Sequence, residues 1–102
     1  MQELPIIQKT YSLIQWYVPI INRLPKSHKF TLGDRIVNQL YDILENLIEA
    51  RFAQEKLTIL TKINLKLDII RYQTRLLYDF DLINIERYDY VSQLLKEIGI
   101  DL

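Results

Sequence analysis

Leu57–Phe80 reads LTILTKINLKLDIIRYQTRLLYDF, a run without glycine or proline. Set on a helix at about 100° per residue, Ile59, Leu60, Ile63, Leu67, Ile70, Leu77 and Tyr78 share one face. Leu65, Ile69, Tyr72, Leu76 and Phe80 fall on nearly the opposite face. Two narrow polar strips separate them, Asn64/Asp68/Arg71/Arg75 on one side and Lys62/Lys66/Gln73 on the other. A helix apolar on two sides is buried on two sides. A small bundle has too few other elements to cover both stripes, so the second is expected to meet another subunit, as in a protein that works as an assembly rather than as a catalyst.

Outward from this stretch the chain reads as three more helices. The first is expected from about Leu4 to Arg23, with Pro5 near its start and Ile7, Tyr11, Ile14, Val18 and Ile21 recurring at helical spacing. Pro19 lies inside it and predicts a kink, because it cannot donate to the carbonyl of residue 15. Leu24–Lys29 makes a turn. Thr31 with Asp34 three residues on resembles a capping box, which starts a second helix there and carries it to about Phe52, with Ile36, Leu40, Ile43, Leu44, Leu47, Ile48 and Phe52 as its apolar set. No glycine or proline divides that helix from the next; one helix from Thr31 to Phe80 would run about 75 Å, too long for a compact chain of this size, so a reversal is expected at Arg51–Glu55. Asn84 predicts the cap of a fourth helix carrying Tyr88, Val91, Leu94, Leu95 and Ile98, stopped by Gly99. The pattern is an all-α antiparallel four-helix bundle forming one domain over residues 1–102, with no strand pattern, repeat or low-complexity segment.

Composition narrows the class. The 102 residues are 49% hydrophobic and 25% charged, the balance of a globular helical unit. Cysteine is absent, which removes disulfides, thiolate nucleophiles and zinc-finger patterns together. The longest uncharged stretch, Thr10–Asn22, is shorter than the roughly 18 apolar residues that span a bilayer, and no basic-then-apolar leader opens the chain. A cytoplasmic protein without membrane contact is expected. Net charge is zero but segregated: residues 54–78 hold five basic and two acidic side chains, and residues 79–102 hold two basic and six acidic ones. A further cluster, Arg23, Lys26, His28 and Lys29, falls in the turn with no acid near it in sequence.

Catalytic chemistry finds little support. His28, the only histidine, sits in a basic turn and reads as a solvated side chain. Asp42, Glu45 and Glu49 share a face and could coordinate a cation, but carboxylate-bridged bundles also need a Glu-x-x-His pattern, and a solvated face is the plainer reading. Gly33 and Gly99 are isolated, so no phosphate-cradling loop is present. No enzyme activity, cofactor or metal is expected. Arg71 and Arg75 lie one turn apart, with Asp68 placed to pair with Arg71; they read either as an ion-pair seam or as phosphate contacts beside Tyr72 and Tyr78. Lys62 and Lys66 carry no compensating neighbour in sequence, and with Arg23, Lys26 and Lys29 they complete the candidate nucleic-acid contacts, whose field a symmetric oligomer would multiply.

These residues also carry a resemblance. Leu24-Pro25-Lys26-Ser27-His28-Lys29-Phe30-Thr31-Leu32-Gly33-Asp34 is similar to the turn and second-helix opening of small four-helix proteins encoded in intervening sequences of bacterial large-subunit ribosomal RNA genes. Trp16-Tyr17-Val18-Pro19-Ile20-Ile21, Phe30-Thr31-Leu32-Gly33-Asp34 and Leu67-Asp68-Ile69-Ile70-Arg71-Tyr72-Gln73-Thr74-Arg75-Leu76-Leu77 together resemble the related Avd family, the accessory variability determinants of diversity-generating retroelements. The resemblance covers nearly the whole chain.

It implies a four-helix protomer assembled into a homopentameric barrel that binds the element's reverse transcriptase and its template-repeat RNA in support of mutagenic retrohoming, without catalysing the copying. Carried onto this chain, Arg23, Lys26, Lys29, Lys62, Lys66, Arg71 and Arg75 would contact RNA, and Leu65, Ile69, Tyr72, Leu76 and Phe80 would pack subunits. Nucleic-acid-binding members tend to be markedly basic, whereas this chain is neutral. Affinity would then come from the polymerase as co-ligand or from five-fold repetition of the basic patch. A helical oligomer encoded in an rRNA intervening sequence and a protein-only interaction scaffold remain open; a small-ligand or enzymatic bundle would need convergent polar groups around a pocket, and none is evident.

Overall fold

The computed structural model describes residues 4–102. Among them run four long helices and no strand: α1 Pro5–Asn22, α2 Asp34–Phe52, α3 Lys56–Asp79 and α4 Ile85–Asp101. α1 packs on α2 and α4, and α3 packs on the same two, closing an all-α four-helix bundle of 42 × 23 × 21 Å. No helix among the described residues is long and apolar enough to cross a membrane.

The core follows the first face of α3. Ile63, Leu67, Ile70 and Leu77 are sealed against Leu40 and Ile43 of α2 and Val91, Leu95 and Ile98 of α4 in one cluster; full burial of each such side chain stabilises by about 1.5–3 kcal/mol. The reversal between α2 and α3 lies at Ala53–Glu55, within the expected segment. α1 differs in its rotation. Its buried residues are Ile7, Thr10, Leu13, Tyr17 and Ile21, while Tyr11, expected on that face, is exposed. The reason is polar: Thr10 donates to the Ile6 carbonyl at 2.9 Å and the Tyr17 hydroxyl meets the Thr74 hydroxyl at 2.8 Å, so these groups enter the core with their hydrogen bonds made. Pro19 lies within α1, which continues to Asn22.

Of the three helix ends expected from single polar or glycine signals, two are corrected and one holds. Thr31 does not cap α2. Its hydroxyl donates to the carbonyls of Ser27 at 3.0 Å and His28 at 3.3 Å, because the chain is already helical: a turn at Lys26–His28 passes into a π-helical turn at Lys29–Gly33 and then into α2. Gly33 lets that wider turn approach α1, since a Cβ there would stand 2.9 Å from Cγ2 of Ile21. Gly99 does not stop α4, which runs on to Asp101. Asn84 does cap it, accepting from the Arg87 amide at 2.8 Å.

α3 ends in a Schellman motif: the Leu82 amide donates to the Leu77 carbonyl at 2.8 Å and the Asp81 amide to the Tyr78 carbonyl at 2.9 Å. Asp81 takes the left-handed position, with φ 60°. Stacked Tyr78 and Tyr88 rings, 5.0 Å apart, then join α3 to α4, and Trp16 against Tyr90 at 4.8 Å joins α1 to α4.

Candidate functional site

α3 presents its second stripe to solvent in the single chain. Leu65, Ile69, Tyr72, Leu76 and Phe80 are all exposed, Tyr72 by 69%, whereas the four core positions on the opposite face show 0%. A row of five large apolar side chains along one helix is the kind of patch that marks a contact surface.

The cations flanking this stripe are held differently from one another. Arg71 is drawn inward. It pairs with Asp68, and its Nη2 donates to the Leu95 carbonyl at 3.3 Å. Gly99 is the residue that admits it: a Cβ there would lie 2.8 Å from that Nη2. Glycine at this position therefore gives room for an α3–α4 clamp rather than ending the helix. Arg75 reaches Asp79 only at 3.9 Å, Lys66 reaches Asp42 of α2 at 3.7 Å, and Lys62 has no ion pair among the described residues. Asp68, Arg71, Tyr72, Arg75 and Tyr88 line a shallow cleft of about 310 Å³ between α3 and α4.

The other candidate cations sit at the α1–α2 connection. Arg23 and Lys26 are exposed, Lys29 is half-buried with its ammonium 5.3 Å from the Phe30 ring, and none of the three has an ion pair with a carboxylate among the described residues. π-helical turns are uncommon and recur at functional sites, and here one carries Lys29. His28 is not a freely solvated side chain. It is half-buried, with its ring 5.6 Å from that of Phe80. This contact sets the basic turn against the end of the α3 stripe. Along α3 the candidate cations run from Arg75, five residues or about 8 Å before Phe80, back to Lys62, 18 residues or about 27 Å before it, so they trail away from the turn rather than gathering at it.

A feature not singled out in the sequence lies on α2. Tyr41, Ile48 and Phe52 are exposed, Phe52 by 78%, with exposed Glu45 and Glu49 among them. The periodicity that separates two stripes on α3 also finds this one, once Ile48 and Phe52 are assigned away from the core that Leu40, Ile43 and Leu47 fill. Among the described residues no three His, Cys, Asp or Glu side chains gather to hold a metal; Asp42 turns instead to Lys66. Away from these surfaces, burial pushes the Tyr17 phenol up to about 12 despite its bond to Thr74, and the bond from Lys9 to Asp101, 2.8 Å long, raises the Lys9 ammonium above its ordinary value.

No curated protein matches the chain. A family model does, and it spans the whole bundle with the exposed α3 stripe, the π-helical turn and the Arg71 clamp. With residues 4–102 matched to that model, described as bAvd-like, the chain belongs to the bAvd-like family.

Proposed function

We propose that this protein is the accessory subunit of a diversity-generating retroelement, a non-catalytic scaffold that self-assembles, in five copies, and holds the reverse transcriptase with its template RNA. Family membership over residues 4–102 supports the accessory role. The observation that carries the assembly is the exposed row Leu65, Ile69, Tyr72, Leu76 and Phe80 opposite a sealed core face.

Phosphate contact falls first to Arg23, Lys26 and Lys29, which no carboxylate neutralises among the described residues. Arg71, Arg75 and Lys66 share their charge with Asp68, Asp79 and Asp42, and Lys62 borders the assembly stripe, so these four contribute less to RNA. A neutral protomer gains RNA affinity when a ring repeats its one basic turn, because each neutralised phosphate releases counterions and the releases add.

The test is co-purification of tagged protein with reverse transcriptase and template RNA, for the unmutated chain and for Arg23→Glu/Lys26→Glu/Lys29→Glu. Loss of RNA in the triple variant with the oligomer intact, and a shallower salt dependence of the remainder, is the expected result. RNA retention equal to that of the unmutated chain would instead favour a protein-only scaffold, the reading that zero net charge and the in-chain ion pairs support.

A further inference from the structure

The cleft of about 310 Å³ that Asp68, Arg71, Tyr72, Arg75 and Tyr88 line between α3 and α4 is electrically balanced. Asp68 pairs with Arg71, and Asp79 stands 3.9 Å from Arg75, so two carboxylates offset two guanidinium groups and a phosphate finds no net attraction there. What the cleft offers is directional. Asp68 and Arg75 are both exposed and seven residues apart, which sets them about 10 Å from one another along one side of α3 with Arg71 and Tyr72 between them. Asp68 engages Arg71 through Oδ1, which leaves Oδ2 to accept. Arg75 makes its long contact to Asp79 through Nε, which leaves the fork of its two terminal nitrogens to donate. The walls are aromatic: the Tyr88 ring is held by stacking on Tyr78 at 5.0 Å, and the Tyr72 ring is exposed. This side of α3 faces α4, where Arg71 reaches the Leu95 carbonyl, and the opposite side faces α2, where Lys66 reaches Asp42. Tyr72 stands between them, so the cleft borders the exposed α3 row without being part of it.

We infer that this cleft takes an unpaired guanine base. The inference deepens the RNA contact proposed above, and rests on it for the strand that carries the base. Guanine presents two donors, N1–H and the N2 amino group, on one edge and two acceptors, O6 and N7, on another. A carboxylate only accepts and a guanidinium only donates. Asp68 therefore meets the first edge, the Arg75 fork meets the second, and a tyrosine ring stacks on the face of the base. Adenine places an acceptor at N1 and a donor at N6, where guanine has the reverse, so both ends of the cleft oppose it. Uracil has a single N–H between two carbonyls and makes one bond fewer at each end. A neutral cleft suits an uncharged base, while the phosphates of the same strand fall to Arg23, Lys26 and Lys29.

The test is fluorescence anisotropy with labelled single-stranded RNA heptamers that differ only at the centre, UUUGUUU, UUUAUUU and UUUUUUU, beside NMR titration of the protein with free GMP and AMP. The unmutated protein is expected to bind UUUGUUU about ten-fold more tightly than the other two, and GMP rather than AMP is expected to shift the Tyr72 and Tyr88 signals. Asp68→Asn is the decisive variant. Asparagine both donates and accepts, the pattern adenine requires, so the preference should pass from UUUGUUU to UUUAUUU. A merely structural loss of the Asp68 pair with Arg71 would instead weaken all three heptamers alike, and that result would overturn the assignment. Arg75→Ala should bind the three heptamers equally. Both positions are exposed, so both variants are expected to keep the helical circular dichroism of the unmutated chain. GMP bound as tightly as UUUGUUU would make the free nucleotide the ligand of the same cleft; GMP bound more weakly places the base in a strand. Equal binding of the three heptamers with no response to GMP would overturn the guanine site and leave phosphate contact at the turn in place. Heptamers that do not bind at all would overturn the RNA contact, and the GMP and AMP titrations then decide the cleft by themselves.

Discussion

Asp81 holds a left-handed backbone, φ 60°, at the position of a helix-ending motif that glycine usually fills. Aspartate tolerates this conformation better than most residues but still pays for its Cβ. Asp81→Gly is therefore expected to raise the unfolding free energy by about 1 kcal/mol, measured by urea denaturation, with the amide bonds of Asp81 and Leu82 unchanged. Tyr17 gives a pH signature. Its phenol ionises near pH 10 in the unfolded chain and at about 12 in the folded one. Between those values the unfolded chain binds fewer protons, so the stability Tyr17 supplies is complete below pH 10 and declines as pH rises toward 12. The loss amounts to about 2–3 kcal/mol. Melting midpoints against pH should fall more steeply across this window for the unmutated protein than for Tyr17→Phe.

At the scale of the elements, α3 was legible in the sequence because two apolar periods sit on opposite faces of one uninterrupted helix, one sealed in the core and the other exposed in the single chain. Single-residue signals were less reliable, each for a physical reason. Thr31 has the chemistry of a cap, but its hydroxyl is taken by carbonyls of a turn that is already helical. Gly99 suggests an end, yet its missing side chain is space for Arg71. Thr10 and Tyr17 count as polar or mixed in a pattern, and only the bonds to Ile6 and Thr74 show why they are buried. The candidate cations were identifiable by type and spacing, whereas their in-chain partners, Asp42 from another helix above all, required the fold. The α2 stripe was hidden because Ile48 and Phe52 were assigned to the core. The two faces of α3 separate experimentally: Leu67→Ala should cost about 3 kcal/mol of stability, while Leu76→Glu should keep the helical circular dichroism of the unmutated chain and lose the assembly.

For the whole molecule, a neutral protomer carries a basic turn that the proposed assembly would repeat, with His28 against Phe80 linking that turn to the end of the exposed α3 stripe. Salt should accordingly affect RNA retention more than the proposed subunit contact, since phosphate contacts are screened by salt and contacts between apolar side chains are not. The most direct measurement is the absolute mass of the unmutated protein in solution by light scattering behind a sizing column, with Leu76→Glu run beside it. A closed multiple of 12.3 kDa is expected, about 62 kDa for five copies, falling to a single chain in the variant. A stable 12.3 kDa unmutated protein would contradict self-assembly through α3 and leave the exposed row to a different partner.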